Sequence, residues 1–151
     1  MSIHVPHPSE LPAAVGRTAV GDWYRIDQER IAAFAEATED RQWIHLDADR
    51  AASGPFGETI AHGYLTLSLL PHLTAGLLDV AGLAMAVNYG LDTVRFLQPV
   101  RAGARVRART EIVAVAPAPQ GFRVSARTTV EIEGTDKPAL VAETIALLVP
   151  A

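Results

Sequence analysis

Residues Ile60–Leu78 read IAHGYLTLSLLPHLTAGLL and contain no Asp, Glu, Lys or Arg. Their apolar side chains fall on every side of a 3.6-residue turn, and a helix with this pattern is either buried or membrane-spanning. The length is close to that of a membrane span, but two histidines, a proline and the lack of a basic flank or aromatic belt argue against one. We therefore expect one buried helix, kinked at Pro71 because proline removes a backbone donor.

The sequence after this helix alternates between apolar and polar residues, which predicts β-strands with one buried face. The strands are predicted at Ala84–Leu97, with a bulge at Gly90, and at Arg105–Val115, Phe122–Ile132 and Leu140–Val149, the last apolar enough to be central. The apolar face of an antiparallel sheet needs a cover, and Ile60–Leu78 is the one large apolar segment available. We therefore expect an α+β fold in which a curved antiparallel sheet wraps one long helix, as a single domain over residues 1–151.

The part of the chain before the helix is less regular. Residues 1–16 contain three prolines and a glycine and predict an extended arm. The elements predicted next are a strand at 18–26, a helix capped by Asp27 that ends near Thr38, and an irregular segment from Asp40 to Thr59 with a short helix capped by Asp47.

The composition is that of a globular protein, with 151 residues, 49% hydrophobic and 20% charged. The net charge of −4 gives no electrostatic basis for nucleic-acid binding. Because there is no cysteine, disulfides, thiol catalysis and zinc–thiolate sites are excluded. The first residues lack the basic start and apolar core of a signal peptide, so we expect a cytoplasmic protein with no membrane partner.

Arginines alternate along the predicted strands. Arg105, Arg107 and Arg109 share one face of a strand, and the next strand carries Glu131 on the same face. A row of guanidinium groups could bind phosphates, but cross-strand pairs of arginine and glutamate are common on solvated sheets and are each worth little. We interpret most of these arginines as a solvent-facing surface.

Two polar residues on the irregular segment are candidates for catalysis. Asp40 and His45 lie five residues apart, and a carboxylate and an imidazole that converge on one water molecule can move protons to and from it. Gln42 lies between them and could orient one of the two groups. The alternative is that Asp40 ends a helix and His45 is a packed surface histidine, and the spacing alone favours this alternative.

His62-Gly63 falls in the first turn of the predicted central helix, where backbone N–H groups have no partner inside the helix. A glycine there allows a ligand to approach the backbone closely. The alternative is that Gly63 only lets a neighbouring strand pack closely, and Gly63 alone favours that alternative.

The stretch FAEATEDRQWIHLDADRA, Phe34–Ala51, resembles the signature of the MaoC-like, R-specific enoyl-CoA hydratases. In that signature an Asp and a His five residues apart follow an aromatic residue, as Asp40 and His45 follow Phe34. IAHGYLTLSLL resembles the start of the family's central helix, and VRFLQPVRAG resembles its later strand and turn. The resemblance covers most of the chain from Trp23 onward and implies a hot-dog fold.

The chain departs from the family pattern between the two candidate residues. The family usually has Gly-Asp-x-Asn-Pro before the His, whereas this chain has Glu39-Asp40-Arg41-Gln42-Trp43. Gln42 can stand in for the Asn as an amide with a longer reach. Trp43 in place of Pro removes the fixed backbone angle that a proline gives this turn.

The resemblance implies reversible addition of water to a trans-2-enoyl-CoA, giving an (R)-3-hydroxyacyl-CoA, without a metal or cofactor. Asp40 and His45 would hold and activate the water and supply the proton to C2. The sequence does not assign either step to one of the two residues. The N–H of Gly63 would stabilise the enolate oxygen, and His62 and Gln42 would line the site. We also expect a homodimer, because a small sheet around one helix leaves an edge strand exposed.

Two other functions remain open from the sequence. Acyl-CoA thioesterases with this fold often carry an acidic residue on the central helix, and Ile60–Leu78 contains none. A non-catalytic acyl-binding protein would bind a thioester without converting it.

Overall fold

The computed structural model describes residues 1–151 and contains eight strands and five α-helices. The strands are β1 Ile3–Val5, β2 Thr18–Val20, β3 Tyr24–Arg25, β4 Leu78–Val80, β5 Leu83–Phe96, β6 Arg105–Ala118, β7 Gly121–Ile132 and β8 Leu140–Pro150. The α-helices are α1 Gln28–Thr38, α2 Trp43–Leu46, α3 Ala48–Ala52, α4 Gly63–Ser68 and α5 Leu70–Leu73. The predicted α+β class is confirmed.

The large sheet is antiparallel, with the strand order β2-β6-β7-β8-β5 and with β3 also paired to β6. The alternation along β6, β7 and β8 places their small and branched apolar side chains on the inner face. Val106, Val130 and Leu140 are fully buried there, and they share one core with Leu65 and Leu73 of the helices. The predicted central position of the last strand is confirmed.

The outer face of the sheet carries the arginine rows, and most of them are paired as expected. Glu131 accepts hydrogen bonds from Arg107 at 2.6 Å and from Arg109 at 2.8 Å. Arg127 donates to Glu143 at 2.9 Å across the next strand pair. The interpretation of these arginines as a solvent-facing surface is therefore confirmed.

The predicted single helix over Ile60–Leu78 is wrong in its extent. The N–H of Ala61 donates to the Val100 carbonyl, and Ile60 forms an isolated bridge with Arg101. These contacts hold the chain extended, so that helix α4 begins only at Gly63. After α5 the chain turns, and Leu78 is already the first residue of β4.

The predicted burial of this segment is also only partly correct. The expected break is present, since Leu69 separates α4 from α5 and Pro71 lies in the first turn of α5, where its missing N–H costs no helical bond. However, Tyr64 is 69% exposed, and Ser68 and His72 are also exposed. The two helices therefore keep one solvent-exposed side.

Residues 1–16 are not the extended arm that their prolines predict. β1 pairs in parallel with β4, and a 3₁₀ helix spans Pro8–Ala14. Ile3, Val5 and Leu11 are almost completely buried in the main core. These apolar residues are too few, and too close to the prolines, to give a recognisable strand or helix pattern. Their partner strand β4 also lies far along the chain, so no local pattern indicates the pairing.

Strand β5 forms the free edge of the large sheet, and most of its residues are exposed on both faces. The predicted irregularity at Gly90 is confirmed, because the register with β8 shifts between Asn88 and Gly90. Large apolar side chains of this strand face solvent, namely Met85, Val87, Tyr89, Leu91 and Phe96.

None of the helices combines the length and the apolar character that crossing a membrane requires.

Candidate active site

The end of helix α1 positions Asp40 at the site. Asp27 caps the helix by accepting a hydrogen bond from the N–H of Arg30 at 2.9 Å. The helix ends at Thr38, and Glu39 adopts a left-handed conformation with φ 62°. The left-handed Glu39 turns the chain away from the direction of the helix. Asp40 is therefore the first residue of the loop, and it is exposed.

His45 is buried in the single turn of α2, and its ring has a defined tautomer. Its Nδ1 lies 2.7 Å from the carbonyl oxygen of Ile60. A carbonyl can only accept, so Nδ1 carries the hydrogen and Nε2 keeps a free lone pair. A neutral imidazole with a free Nε2 at a cleft is the form that a general base needs.

Gln28 holds the main chain of His45 from behind. Its amide nitrogen donates to the His45 carbonyl at 2.7 Å, and its amide oxygen accepts from the Thr59 hydroxyl at 2.6 Å. In the sequence, Gln28 is only the residue that follows the helix cap Asp27. Nothing in the local pattern could indicate a contact with residues 17 and 31 positions away.

His62 contacts both candidate catalytic residues. Its Nε2–H donates to the main-chain carbonyl of Asp40 at 2.9 Å. Its ring stacks on that of His45, with centroids 3.8 Å apart and planes inclined by 22°. One ring nitrogen of each histidine and one carboxylate oxygen of Asp40 all lie within 4.8 Å of one another.

These three groups open onto a cleft of about 560 Å³. Asp40 and His45 both line it. Its mouth is assigned to the lining residues Gly63, Tyr64, Phe96 and Leu97, because these are exposed. The volume is within the range of small-molecule sites. The arrangement can hold a water molecule between a carboxylate and a neutral imidazole, next to an apolar entrance.

A metal ion does not fit the same three groups. A histidine ligand binds a metal along the lone pair in its ring plane, at about 2.0–2.1 Å for zinc. The planes of His45 and His62 are stacked and nearly parallel, so they meet only well away from the rings. An ion in the plane of one ring and bound to its nitrogen therefore lies well out of the plane of the other ring. Hydrogen bonds to water tolerate such departures from the ring plane better.

Gly63 lines the cleft at the start of α4, and its N–H has no acceptor in the protein. A Cβ built at this position would lie 3.0 Å from the ring of Phe96. The glycine is therefore required by the close packing of Phe96, and its free N–H is also available to a ligand.

Gln42 is the one predicted site residue that the structure does not bring into the cleft. It precedes α2, its side chain is exposed and makes no hydrogen bond, and only its main-chain N–H approaches Asp40, at 3.5 Å from Oδ1. Trp43, which follows it, packs beneath the guanidinium of Arg50 at 4.1 Å.

Burial lowers the pKa of the His45 imidazole below its ordinary value of 6.5, and the neighbouring His62 acts in the same direction. The hydrogen bond to Ile60 and the charge of Asp40 act in the opposite direction but are outweighed. His45 is therefore neutral at neutral pH, as a general base requires.

This pKa predicts how stability depends on pH. The unfolded chain binds a proton at His45 near its ordinary pKa of 6.5, whereas the folded chain binds it only at lower pH. Stability is therefore lost as the pH falls below 6.5 and is unaffected by this group at higher pH. Urea unfolding at about pH 5.5 and about pH 8 should show a larger loss for the wild type than for His45→Gln. An equal loss in the two proteins would contradict the lowered pKa.

A second cavity of about 610 Å³ lies between the helices and the inner face of the sheet. Leu67, Leu70 and Leu77 form one wall, and the floor includes a row of threonines, among them Thr110 and Thr128, which are hydrogen-bonded to each other at 3.0 Å. The two spaces adjoin along α4, because Leu67 of this cavity directly follows Thr66, which lines the first cleft.

Comparison with known proteins identifies the class. A model of the MaoC like domain matches residues 10–134. The 3-hydroxyacyl-thioester dehydratase Z of Mycobacterium tuberculosis is 50% identical over 139 residues, which cover 91% of this chain and 92% of that protein.

Solved structures agree with this assignment. The R-hydratase PhaJ1 from Pseudomonas aeruginosa superposes with a TM-score of 0.74 at 29% identity, covering 91% of this chain and 83% of that one. The (R)-hydratase from A. caviae involved in PHA biosynthesis has a TM-score of 0.69 at 27% identity, covering 89% and 96%. The hot-dog fold is thereby confirmed, and the enzyme class is that of a hydro-lyase. The chain belongs to the MaoC-like family of hydratases and dehydratases.

Proposed function

We propose that the protein is an R-specific enoyl-CoA hydratase, which adds water reversibly to a trans-2-enoyl-CoA to give an (R)-3-hydroxyacyl-CoA. The observation that carries the proposal is the convergence of the Asp40 carboxylate and the neutral His45 ring within 4.8 Å at a cleft with an apolar mouth. Relatives named as a 3-hydroxyacyl-thioester dehydratase and an (R)-specific enoyl-CoA hydratase support the same chemistry.

In the proposed mechanism, Asp40 and the free Nε2 of His45 hold one water molecule. His45 takes a proton from the water while the water oxygen bonds to C3 of the substrate. The electron pair of the C2–C3 double bond moves toward the thioester carbonyl, which gives an enolate. The Gly63 N–H donates to the thioester oxygen, where the negative charge develops. The proton is then returned to C2, so both parts of the water end on the substrate.

The second cavity offers a place for the acyl chain of such a substrate. Leu140 of the first cleft and Thr144 of the second lie on the same face of β8, about 14 Å apart along the strand. We propose that chains longer than the four carbons of crotonyl-CoA extend from the cleft into this cavity.

A thioesterase is the main competing function for this fold. No acidic residue is present in α4 or α5, so the helices supply no carboxylate to attack the thioester or to activate water there. The acid at the cleft is Asp40, which lies in the loop after α1.

The functional proposal is tested by following enoyl absorbance and free thiol in parallel, with a series of trans-2-enoyl-CoA and saturated acyl-CoA substrates. We expect loss of enoyl absorbance, no release of CoA and a product of R configuration. Release of CoA would instead identify a thioesterase. A bound thioester without either change would identify an acyl-binding protein.

We further propose that the protein is a homodimer joined along β5. This strand presents 14 residues with one edge of backbone groups unpaired, together with exposed apolar side chains, and pairing with a second copy would satisfy both. The cleft mouth lies on the same side, at Tyr64 and Phe96, so two copies would place their sites near the shared interface.

The dimer is tested by placing a charge on the edge. Leu91 and Val15 are both 46% exposed, but Val15 precedes β2 at the opposite edge of the sheet. We expect light scattering to show a dimer for the wild type and for Val15→Asp, and a monomer or a weakened dimer for Leu91→Asp. A wild type that is monomeric at micromolar concentration would contradict the proposal.

A further inference from the structure

We infer that His62 is a positioning residue that fixes Asp40 relative to His45. The expected effect of this role on turnover rests on the proposed function, in which the two residues act on one substrate. It assigns His62 a role distinct from lining the pocket or donating to the enolate oxygen.

The tautomer of His62 is dictated by its partner. Its Nε2 lies 2.9 Å from the Asp40 carbonyl, which can only accept, so the single N–H of the neutral ring is committed to that bond. The neutral ring therefore has no N–H left to donate to a substrate oxygen. Its Nδ1 is buried without a hydrogen-bond partner.

Burying a ring nitrogen without a partner is unfavourable. His62 is only 2% exposed and lies between Phe34, with ring centroids 4.9 Å apart, and His45. An apolar ring would fill this space without an orphaned nitrogen. The structure therefore keeps an imidazole where packing alone favours a phenyl ring, and the feature that a phenyl ring lacks is the N–H that reaches Asp40.

Asp40 depends on that bond for its position. It follows the left-handed Glu39, lies outside the helix and is exposed. The hydrogen bond from His62 is the only one shorter than 3.5 Å that Asp40 makes. His45, by contrast, is already held through Ile60 and Gln28. The His62 side chain thus fixes Asp40, which has few other hydrogen bonds, next to His45, which is already held in place.

The test separates the effect of the His62 N–H donor from the effect of the His62 ring. His62→Gln retains a donor at about the position of Nε2 but no ring, and His62→Phe retains the ring without a donor. We expect His62→Phe to lose about tenfold to a hundredfold in kcat with little change in KM. His62→Gln should recover most of the turnover. His62→Asn carries an amide donor that is too short to reach the Asp40 carbonyl, so this smaller variant also lacks the bond and should match His62→Phe.

The control is His72→Phe, the same substitution at an exposed histidine of α5 outside the cleft, which should leave kcat unchanged. If His62 acts through Asp40, His62→Phe should add little to the loss already caused by Asp40→Asn. Wild-type kcat in His62→Phe, or equal losses in the Gln and Phe variants, would overturn the inference.

Crystal structures of the variants give a readout that does not depend on turnover. We expect Asp40 to be displaced in His62→Phe and to remain in place in His62→Gln. An undisplaced Asp40 in His62→Phe would overturn the inference even if the protein is a hydratase. A displaced Asp40 in a protein that hydrates no enoyl thioester would leave the positioning role intact and remove the proposed function.

Discussion

Asp40→Asn and His45→Gln are each expected to lose at least about a hundredfold in the rate of crotonyl-CoA hydration. Each substitution removes one of the two groups proposed to hold and deprotonate the water. The double variant should be little worse than either single one, because the two residues act on the same molecule as a unit. Steady-state hydration rates of the three variants and the wild type provide the measurement.

A thermal melt of each variant distinguishes catalysis from folding. Asp40 is exposed, so Asp40→Asn should melt close to the wild type. His45→Gln removes a buried ring with its bond to Ile60, and a lower melting temperature is expected. Near-normal turnover in a folded Asp40→Asn or His45→Gln protein would show that the residue is structural, and the hydratase proposal would then fail.

Gly63→Val is expected to abolish turnover, because the added side chain would block the approach of the thioester to the Gly63 N–H. The structure also shows a second effect of this substitution, since even a Cβ would lie 3.0 Å from the Phe96 ring. A loss of activity in Gly63→Val alone could thus come from a displaced Phe96.

Phe96→Ala and the double variant Gly63→Val/Phe96→Ala separate the two effects. Removing the ring makes room for the new side chain, so the double variant should fold as well as Phe96→Ala. It should still be inactive, whereas Phe96→Ala should retain hydration. Activity in the double variant equal to that of Phe96→Ala would remove Gly63 from the site and leave it only a packing role.

The long strands of the sheet were predictable because their period-two pattern is local and their inner faces are buried. The central helix was overestimated because an apolar run does not reveal where tertiary contacts hold the chain extended, as Val100 holds Ala61. The N-terminal segment was misjudged for a related reason. Its prolines are a strong local signal for irregular structure, whereas the partner of β1 lies 75 residues away.

The part of the site that lies on one short stretch of sequence, Asp40 and His45, was predictable. Gln42 was chosen because of its spacing, but the first turn of α2 leaves its side chain in solvent. The amide that does support the site, Gln28, reaches His45 from another helix. No periodicity encodes such a contact, because it depends on how α1 packs against the loop.

The pairing of β1 with β4 constrains the order in which the chain can fold. Ile3 aligns with Leu78 in a parallel pair, so the intervening chain must be closed into a loop before either strand gains its hydrogen bonds. Closing such a loop costs chain entropy, and contacts of this sequence separation slow folding. During synthesis the first residues leave the ribosome long before their partner strand. We therefore expect β1 to dock late, and its backbone amides to gain protection from hydrogen exchange after those of β6 and β7, whose hairpin is local.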